Sequence, residues 1–458
     1  MPTPAAPPSD TARPVLFCLH ALGSSAREFD VLTSLLGDTV EVVGLDLPGF
    51  GDLSSATGTS VDAMAAHVVR KIRAHGATRW MLLGHSMGGK VASVVAARTL
   101  SGEAPVFGLA GVVLLAASPP TPEPMEDERR AEMLSWVDDG PLDEAAAREF
   151  VDANTGGSLD ARSDRRAITD LTRTAPDAWR AWLQRGSNED WSAEVGALDL
   201  PALIISGGAD GDLGTEAQHV LNGRVYPRAE FLALEGAGHL LPLERPTEIA
   251  DAIRLFWTET AALAPALGDD WARLLGSPRV SARTRGILAE RMIADPVAGT
   301  PKMLTSAQLA VLRAVADRVV PQQGIPIDLA RRLDAQLARG TGDGWRNAEL
   351  PSDPEAYRAA LDGLAGFDDL DADRQDDHLA AIAAGGTPLG TLSPAAAEAW
   401  FEDLRADLVR IWLAHPASMA RIGFDGFANG TAGRALTGYD LLAAGERETW
   451  EPTPTETM

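Results

Sequence analysis

The sequence predicts an α/β chain: a doubly wound, mostly parallel sheet with a helical lid over residues 14–260, followed by a separate all-α C-terminal domain. Three observations carry this. Short β-branched or leucine-rich runs alternate with helical stretches from residue 14 to about 260, the rhythm of parallel strands covered by helices. That rhythm breaks over 119–200, where the chain is acidic and helical in pattern. Beyond Trp257 the strand-like runs stop, and apolar residues recur at helical spacing from Leu304 onward.

Taken in order, strands are expected at 15–20, 40–46, 80–85, 111–117, 202–206 and 230–234. Each run is too short for a buried helix and is followed by Gly, Pro or Asp. The 119–200 insertion holds Trp136, Trp179, Trp182 and Trp191; the first three are candidates to line an apolar substrate pocket, with packing inside the insertion as the alternative. Residues 261–303, with Pro265, Pro278, Pro296 and Pro301, read as a linker bearing one or two helices. In 304–450, Leu309, Leu312, Val315 and Val319 share one helix face, as do Trp400, Leu404, Leu408 and Ile411. Thr305-Ser306 and Ser393-Pro394 are suitable helix starts.

Composition narrows the function classes. Hydrophobic residues make up 45% and charged residues 23% of 458 positions, as in an ordinary globular protein. Forty basic against 65 acidic residues give a net charge of -25, which repels phosphate backbones and anionic lipid, so no nucleic-acid or membrane partner is expected. Cys18 is the sole cysteine and sits in an apolar run, so it is expected to pack and not to react. The opening Met1 to Pro8 lacks a charged segment followed by an apolar one, and no stretch reaches the ~18 apolar residues of a membrane span. A cytoplasmic protein is expected. Eight histidines occur singly, without H-x-x-x-H or C-x-x-C spacing, so neither a metal nor a cofactor is expected. The glycine-rich pieces match neither G-x-G-x-x-G after a first strand nor a P-loop.

The chemistry centres on Gly84-His85-Ser86-Met87-Gly88, a G-x-S-x-G between the run Trp80-Met81-Leu82-Leu83 and the helical stretch from Lys90. A strand-to-helix turn this sharp needs small flanking residues and exposes the serine hydroxyl at a helix N-terminus. Serine is a weak nucleophile until a base takes its proton, so a histidine and an orienting acid should follow in the order Ser, Asp or Glu, His. Asp210 ends Gly207-Gly208-Ala209-Asp210 after one expected strand, and His239 lies in Gly236-Ala237-Gly238-His239 after the next. The candidate catalytic set is Ser86, Asp210 and His239, with Asp212 the rival acid. His85 and His20 are expected to order their own loops. Of the oxyanion donors, the elbow supplies the backbone N–H of Met87.

Five motifs in order, His20-Ala21-Leu22-Gly23, Asp46-Leu47-Pro48-Gly49-Phe50-Gly51, the Ser86 elbow, Gly207-Gly208-Ala209-Asp210 and Gly236-Ala237-Gly238-His239, make residues 14–258 resemble the α/β-hydrolase superfamily. The resemblance implies a second oxyanion donor from the loop after the first strand, the N–H of Leu22, although Ala21 stands where the family usually has glycine. The family's customary first hairpin is truncated here. Residues 304–450 resemble the gluconate 2-dehydrogenase subunit 3 family, through Leu304-Thr305-Ser306-Ala307-Gln308-Leu309, Ala316-Asp317-Arg318-Val319-Val320-Pro321 and the stretch from Leu404-Arg405 through His415-Pro416 to Gly423-Phe424. That second resemblance implies docking to a flavin-dependent dehydrogenase; the residues alone equally suit a helical cap or a dimerisation module making a homo-oligomer.

The leading expectation is a cofactor-free serine hydrolase of a small-molecule carboxylic ester or lactone, of class EC 3.1.1, working through an acyl-enzyme. The alternatives are carbon-carbon cleavage of a β-diketone by the same triad, and an accessory subunit of a flavin-dependent dehydrogenase.

Overall fold

The computed structural model describes residues 13–296, 299–341, 347, 350–424, 441, 446, 448 and 450–451. They divide into two compact units. The first holds residues 13–262 and 268–294 with the described residues of 441–451, and the second holds 263–267 and the described residues of 295–424.

All six expected strands of the first unit form: β1 Val15–Leu19, β2 Glu41–Leu45, β3 Trp80–His85, β4 Leu109–Leu115, β5 Ala202–Gly207 and β6 Ala229–Leu234. They lie in the order β2-β1-β3-β4-β5-β6, every neighbouring pair parallel. The central strands β1, β3 and β5 are buried along their whole length, which is why they read as unbroken apolar runs and not as alternating ones.

Helices α1 (Asp30–Leu36), α2 (Val61–His75) and α3 (Met87–Leu100) lie between the first four strands. The insertion after β4 contributes α4 (Asp127–Ser135), α5 (Glu144–Ala153), α6 (Ala161–Arg173), α7 (Pro176–Gln184) and α8 (Ser192–Val195). Next come α9 (Thr215–Leu221), α10 (Leu241–Glu244) and α11 (Pro246–Glu259). Alternate strand residues take opposite faces. Leu16, Cys18, Met81 and Leu83 meet Leu32 of α1 and Ile253 of α11 in one core cluster, while Phe17 makes an edge contact with His75 of α2 at 5.4 Å.

The segment 261–303 corrects the expected linker. It contains α12 (Asp269–Leu275) and α13 (Ala282–Met292), and both belong to the first unit. Arg285 on α13 is buried and donates to the carbonyls of Gly102, Leu275, Ser277 and Val280 at 2.6 to 3.0 Å. Cβ atoms at Gly102 and Gly286 would collide with facing backbone at 2.0 and 2.5 Å, so α13 and the end of α3 meet backbone to backbone. The prolines that suggested a tether instead mark turns around these helices.

The second unit is helical: α14 (Ser306–Val319), α15 (Leu329–Arg339), α16 (Asp353–Gly363), α17 (Ala372–Ala383), α18 (Pro394–Leu413) and α19 (Pro416–Arg421). Thr305 caps α14 through a reciprocal bond with Gln308, and Ser393 caps α18, as their sequence positions suggest. Leu312, Val315, Leu333, Ala360, Trp400 and Leu404 centre a single core. Buried Asp334 accepts from the N–H groups of Lys302, Met303 and Leu304 at 2.6, 2.9 and 2.8 Å, fixing the entry to the unit. Residues 425–440 of the expected 304–450 domain lie outside the described residues. Among the described residues no helix is long and apolar enough to cross a membrane.

Candidate active site

Because every strand runs the same way, the segments that follow them emerge at one edge of the sheet, and the order reverses between β1 and β3, where such folds open a crevice. Leu22 follows β1, Ser86 follows β3, Glu123 lies beyond β4, Asp210 follows β5 and His239 follows β6. All five line one cavity of about 230 Å³.

Ser86 has φ 49° and ψ −120°, a conformation held against a cost of about 1–3 kcal/mol for a non-glycine residue. Its neighbours impose it. Ser86 N–H donates to Leu115 O, and Ser86 O accepts from Gly89 and Ser118 at 2.7 and 3.0 Å. The flanking glycines are required by contact: a Cβ at Gly84 would sit 2.5 Å from Gly88 O, and one at Gly88 would sit 2.2 Å from Leu19 O. Ser86 Oγ makes no side-chain cap at the start of α3.

His239 Nδ1 lies 2.7 Å from Asp210 Oδ2, with the two side chains 13% and 7% exposed. The carboxylate is an acceptor, so Nδ1 carries the proton and Nε2 presents its lone pair. Burial alone would make the imidazole a weaker base, but Asp210's charge and hydrogen bond outweigh it and hold the His239 pKa above the ordinary value. Burial likewise opposes ionisation of Asp210, yet the His239 partner draws its carboxyl below the usual range. Asp212 lines the cavity without this bond; burial and the charge of Asp210 push its carboxyl up.

Both neighbouring histidines work as supports. Buried His85 joins Glu28 Oε1 at 3.1 Å through Nδ1 and His239 O at 2.8 Å through Nε2, a tie between distant loops and not only a local one. His20 Nε2 accepts from Leu47 N–H at 3.0 Å, so its Nδ1–H donates to Ala21 O at 2.7 Å. Burial lowers its pKa, consistent with this neutral tautomer.

The insertion completes the cavity. Asn154 O receives the N–H groups of His239 and Leu240 at 2.8 and 3.1 Å, and Glu244 accepts from Gly156 and Gly238. Of the three tryptophans expected to contact substrate, only Trp182 lines the cavity. Trp179 is fully buried, donates to Met133 O at 2.8 Å and packs edge-on against Phe150; Trp136 stacks obliquely on it at 6.3 Å. These two depart from the expectation: Trp179 is sealed among the insertion's helices and Trp136 is half-buried beside it, and neither lines the cavity.

Lys90 and Glu123 belong to no motif in the sequence. Lys90 is fully buried on α3 and its ammonium donates to Gly186 O, Ser187 O and Glu189 O at 3.1, 3.1 and 3.0 Å; burial lowers its pKa to about 8. A lysine in the first turns of a helix that is otherwise small or apolar as far as Ala97 is the available signal. Glu123 accepts a hydrogen bond from Ser118 Oγ, and burial raises its carboxyl. Its position depends on the path of the insertion, for which no local pattern exists. Among the described residues there is no cluster of His, Cys, Asp or Glu suited to a metal.

Residues 15–252 match the family model described as Alpha/beta hydrolase family. The chain belongs to that family. This hydrolase-family chain also carries, at 306–426, a match to Gluconate 2-dehydrogenase subunit 3. Among curated proteins it is 28% identical over 298 residues to the biotin biosynthesis bifunctional protein BioHC of Teredinibacter turnerae, covering 60% of this chain and 50% of that protein. It therefore spans about half the length of that relative. It is 27% identical to the 2-succinyl-6-hydroxy-2,4-cyclohexadiene-1-carboxylate synthase of Serratia proteamaculans and 24% identical to a pimeloyl-[acyl-carrier protein] methyl ester esterase of Klebsiella pneumoniae, each over 53% of this chain and 93% of the relative.

Proposed function

We propose that the first unit is a cofactor-free serine hydrolase of a carboxylic ester or lactone. Ser86 Oγ attacks the carbonyl while His239 Nε2 takes its proton, and Asp210 holds the imidazole and stabilises the resulting cation. The N–H groups of Met87 and Leu22 receive the oxyanion. Protonated His239 then releases the alcohol, and water, activated by the same nitrogen, frees the acyl group. The observation that carries this reading is the 2.7 Å Asp210–His239 bond, which leaves Nε2 for the cavity that Ser86 also lines. The esterase among the relatives supports it.

Intact mass after treatment with a fluorophosphonate tests the reading. A single adduct on the wild type and none on Ser86→Ala is expected; an unlabelled wild type overturns it.

The family match at 306–426 favours a reading for the second unit, that it docks a flavin-dependent dehydrogenase. Co-purification of a flavoprotein with the tagged chain from its native cells is the expected result, and recovery of none counts against it. We further propose a cytoplasmic location, with which a lone buried cysteine is compatible; recovery of the protein in a secreted or periplasmic fraction would contradict it.

A further inference from the structure

The cavity has two kinds of wall. On the insertion side Met125, Met133, Phe150 and Trp182 offer thioether and aromatic surface, suited to an alkyl chain and adaptable to its shape. Facing the same space are three carboxyl groups, Glu123, Asp210 and Asp212. Asp210 is engaged by His239. Among the described residues neither Glu123 nor Asp212 is hydrogen-bonded to a cation; Glu123 accepts from Ser118 Oγ, and Lys90 and Arg130 act on Glu123, and Arg129 on Asp212, only through their charge.

The cation in the lining, Arg129, is already committed. Its guanidinium lies 2.6 Å from Glu132 and 3.4 Å from Glu149, and 5.0 Å from the ring centre of Trp136. Lys90, behind Trp182, has its ammonium directed to three carbonyls. The insertion as a whole carries 19 acidic against nine basic residues between 119 and 200. Among the described residues, an anion entering this cavity would meet like charges while Arg129 and Lys90 are engaged elsewhere, and low-dielectric walls make that repulsion stronger than in open water. The protein's own groups register the same field, since Asp210's charge helps push the Asp212 carboxyl up.

Resting on the serine-hydrolase reading above, we propose that the cavity selects esters with an uncharged acyl chain and selects against acyl chains that end in a carboxylate, Glu123 and Asp212 being specificity-determining residues.

A matched pair tests this: the p-nitrophenyl ester of monomethyl glutarate, whose far end is a methyl ester, and the p-nitrophenyl ester of glutaric acid, whose far end is a carboxylate. With wild type at pH 8, kcat/KM for the anionic ester should be lower by about tenfold or more. Glu123→Gln and Asp212→Asn should each narrow that ratio, and the double variant should bring it within about threefold. Asp212 is on an exposed loop, so its variant tests the idea even if Glu123→Gln folds poorly. Equal rates on the two esters with wild type, or an unchanged ratio in Asp212→Asn and the double variant, would overturn the charge selection while leaving the hydrolase reading intact. Hydrolysis of neither ester, together with no fluorophosphonate adduct at Ser86, would overturn the hydrolase reading and this inference with it.

Discussion

Replacing Asp210 by asparagine should abolish most of the proposed activity without unfolding the protein. The structure sets the size of the effect. Asp210 Oδ2 lies 2.7 Å from His239 Nδ1, and the Asp210 side chain is 7% exposed. With charge centres about 4 Å apart and an effective dielectric near 20, the carboxylate stabilises the imidazolium by about 4 kcal/mol. That corresponds to about a thousandfold in rate. Asparagine adds a second fault, because its amide N–H can donate to Nδ1 and so favours the tautomer with the proton on Nε2, where a lone pair is needed. The assay is kcat/KM on a p-nitrophenyl ester across pH, with a melting curve for each variant. In the wild type the neutral imidazole is the working form, so activity falls as pH drops through the His239 pKa. Because that pKa is raised, the acid limb should lie above 6.5. A loss below tenfold in Asp210→Asn, or an equal loss in Asp212→Asn, would refute the assignment of Asp210.

Three further outcomes are expected. Gly156→Ala places a Cβ 2.0 Å from Gly236 O; displacing the His239 loop should cost about tenfold to a hundredfold in kcat, with about 1–3 kcal/mol of stability. Lys90 has a folded pKa of about 8 against an ordinary 10.5, so the unfolded chain holds more protons between those values. Relative to Lys90→Met, wild type should therefore gain up to about 3 kcal/mol as pH rises from 8 to 10.5, read from paired thermal melts. Asp334→Ala strips the acceptor from three backbone N–H groups and should destabilise the second unit by about 3–5 kcal/mol, measured by urea unfolding.

The strands were legible because a parallel sheet covered on both faces demands continuous apolar runs, and Val15–Leu19 and Trp80–His85 supply them. The elbow and the segments bearing Asp210 and His239 were legible because each sits directly after a strand, so their convergence follows from strand direction alone. What lies across the insertion was not. Trp179 and Trp182 are three residues apart on α7, yet the first is sealed in the insertion's core and the second lines the cavity, a difference set by how α4, α5 and α7 pack. Glu28 and His85 are 57 residues apart, and neither position advertises the other. The 261–303 segment differs from the expected linker because proline spacing signals turns but does not say whether the helices between them have a surface to cover.

That last surface bears on where the catalytic half ends. Helix α3 starts at the Ser86 elbow and finishes beneath α13, where Gly102 O is held by Arg285 and the glycines allow the backbones to touch. A protein cut after Trp257, just past the family match, would strip one end of the helix that begins at Ser86 and leave Gly102 O facing water. The smallest autonomous hydrolase should therefore run to Ala294, some forty residues past the end of the hydrolase family match. Any exchange of the C-terminal partner, by recombination or by design, would have to be made beyond α13.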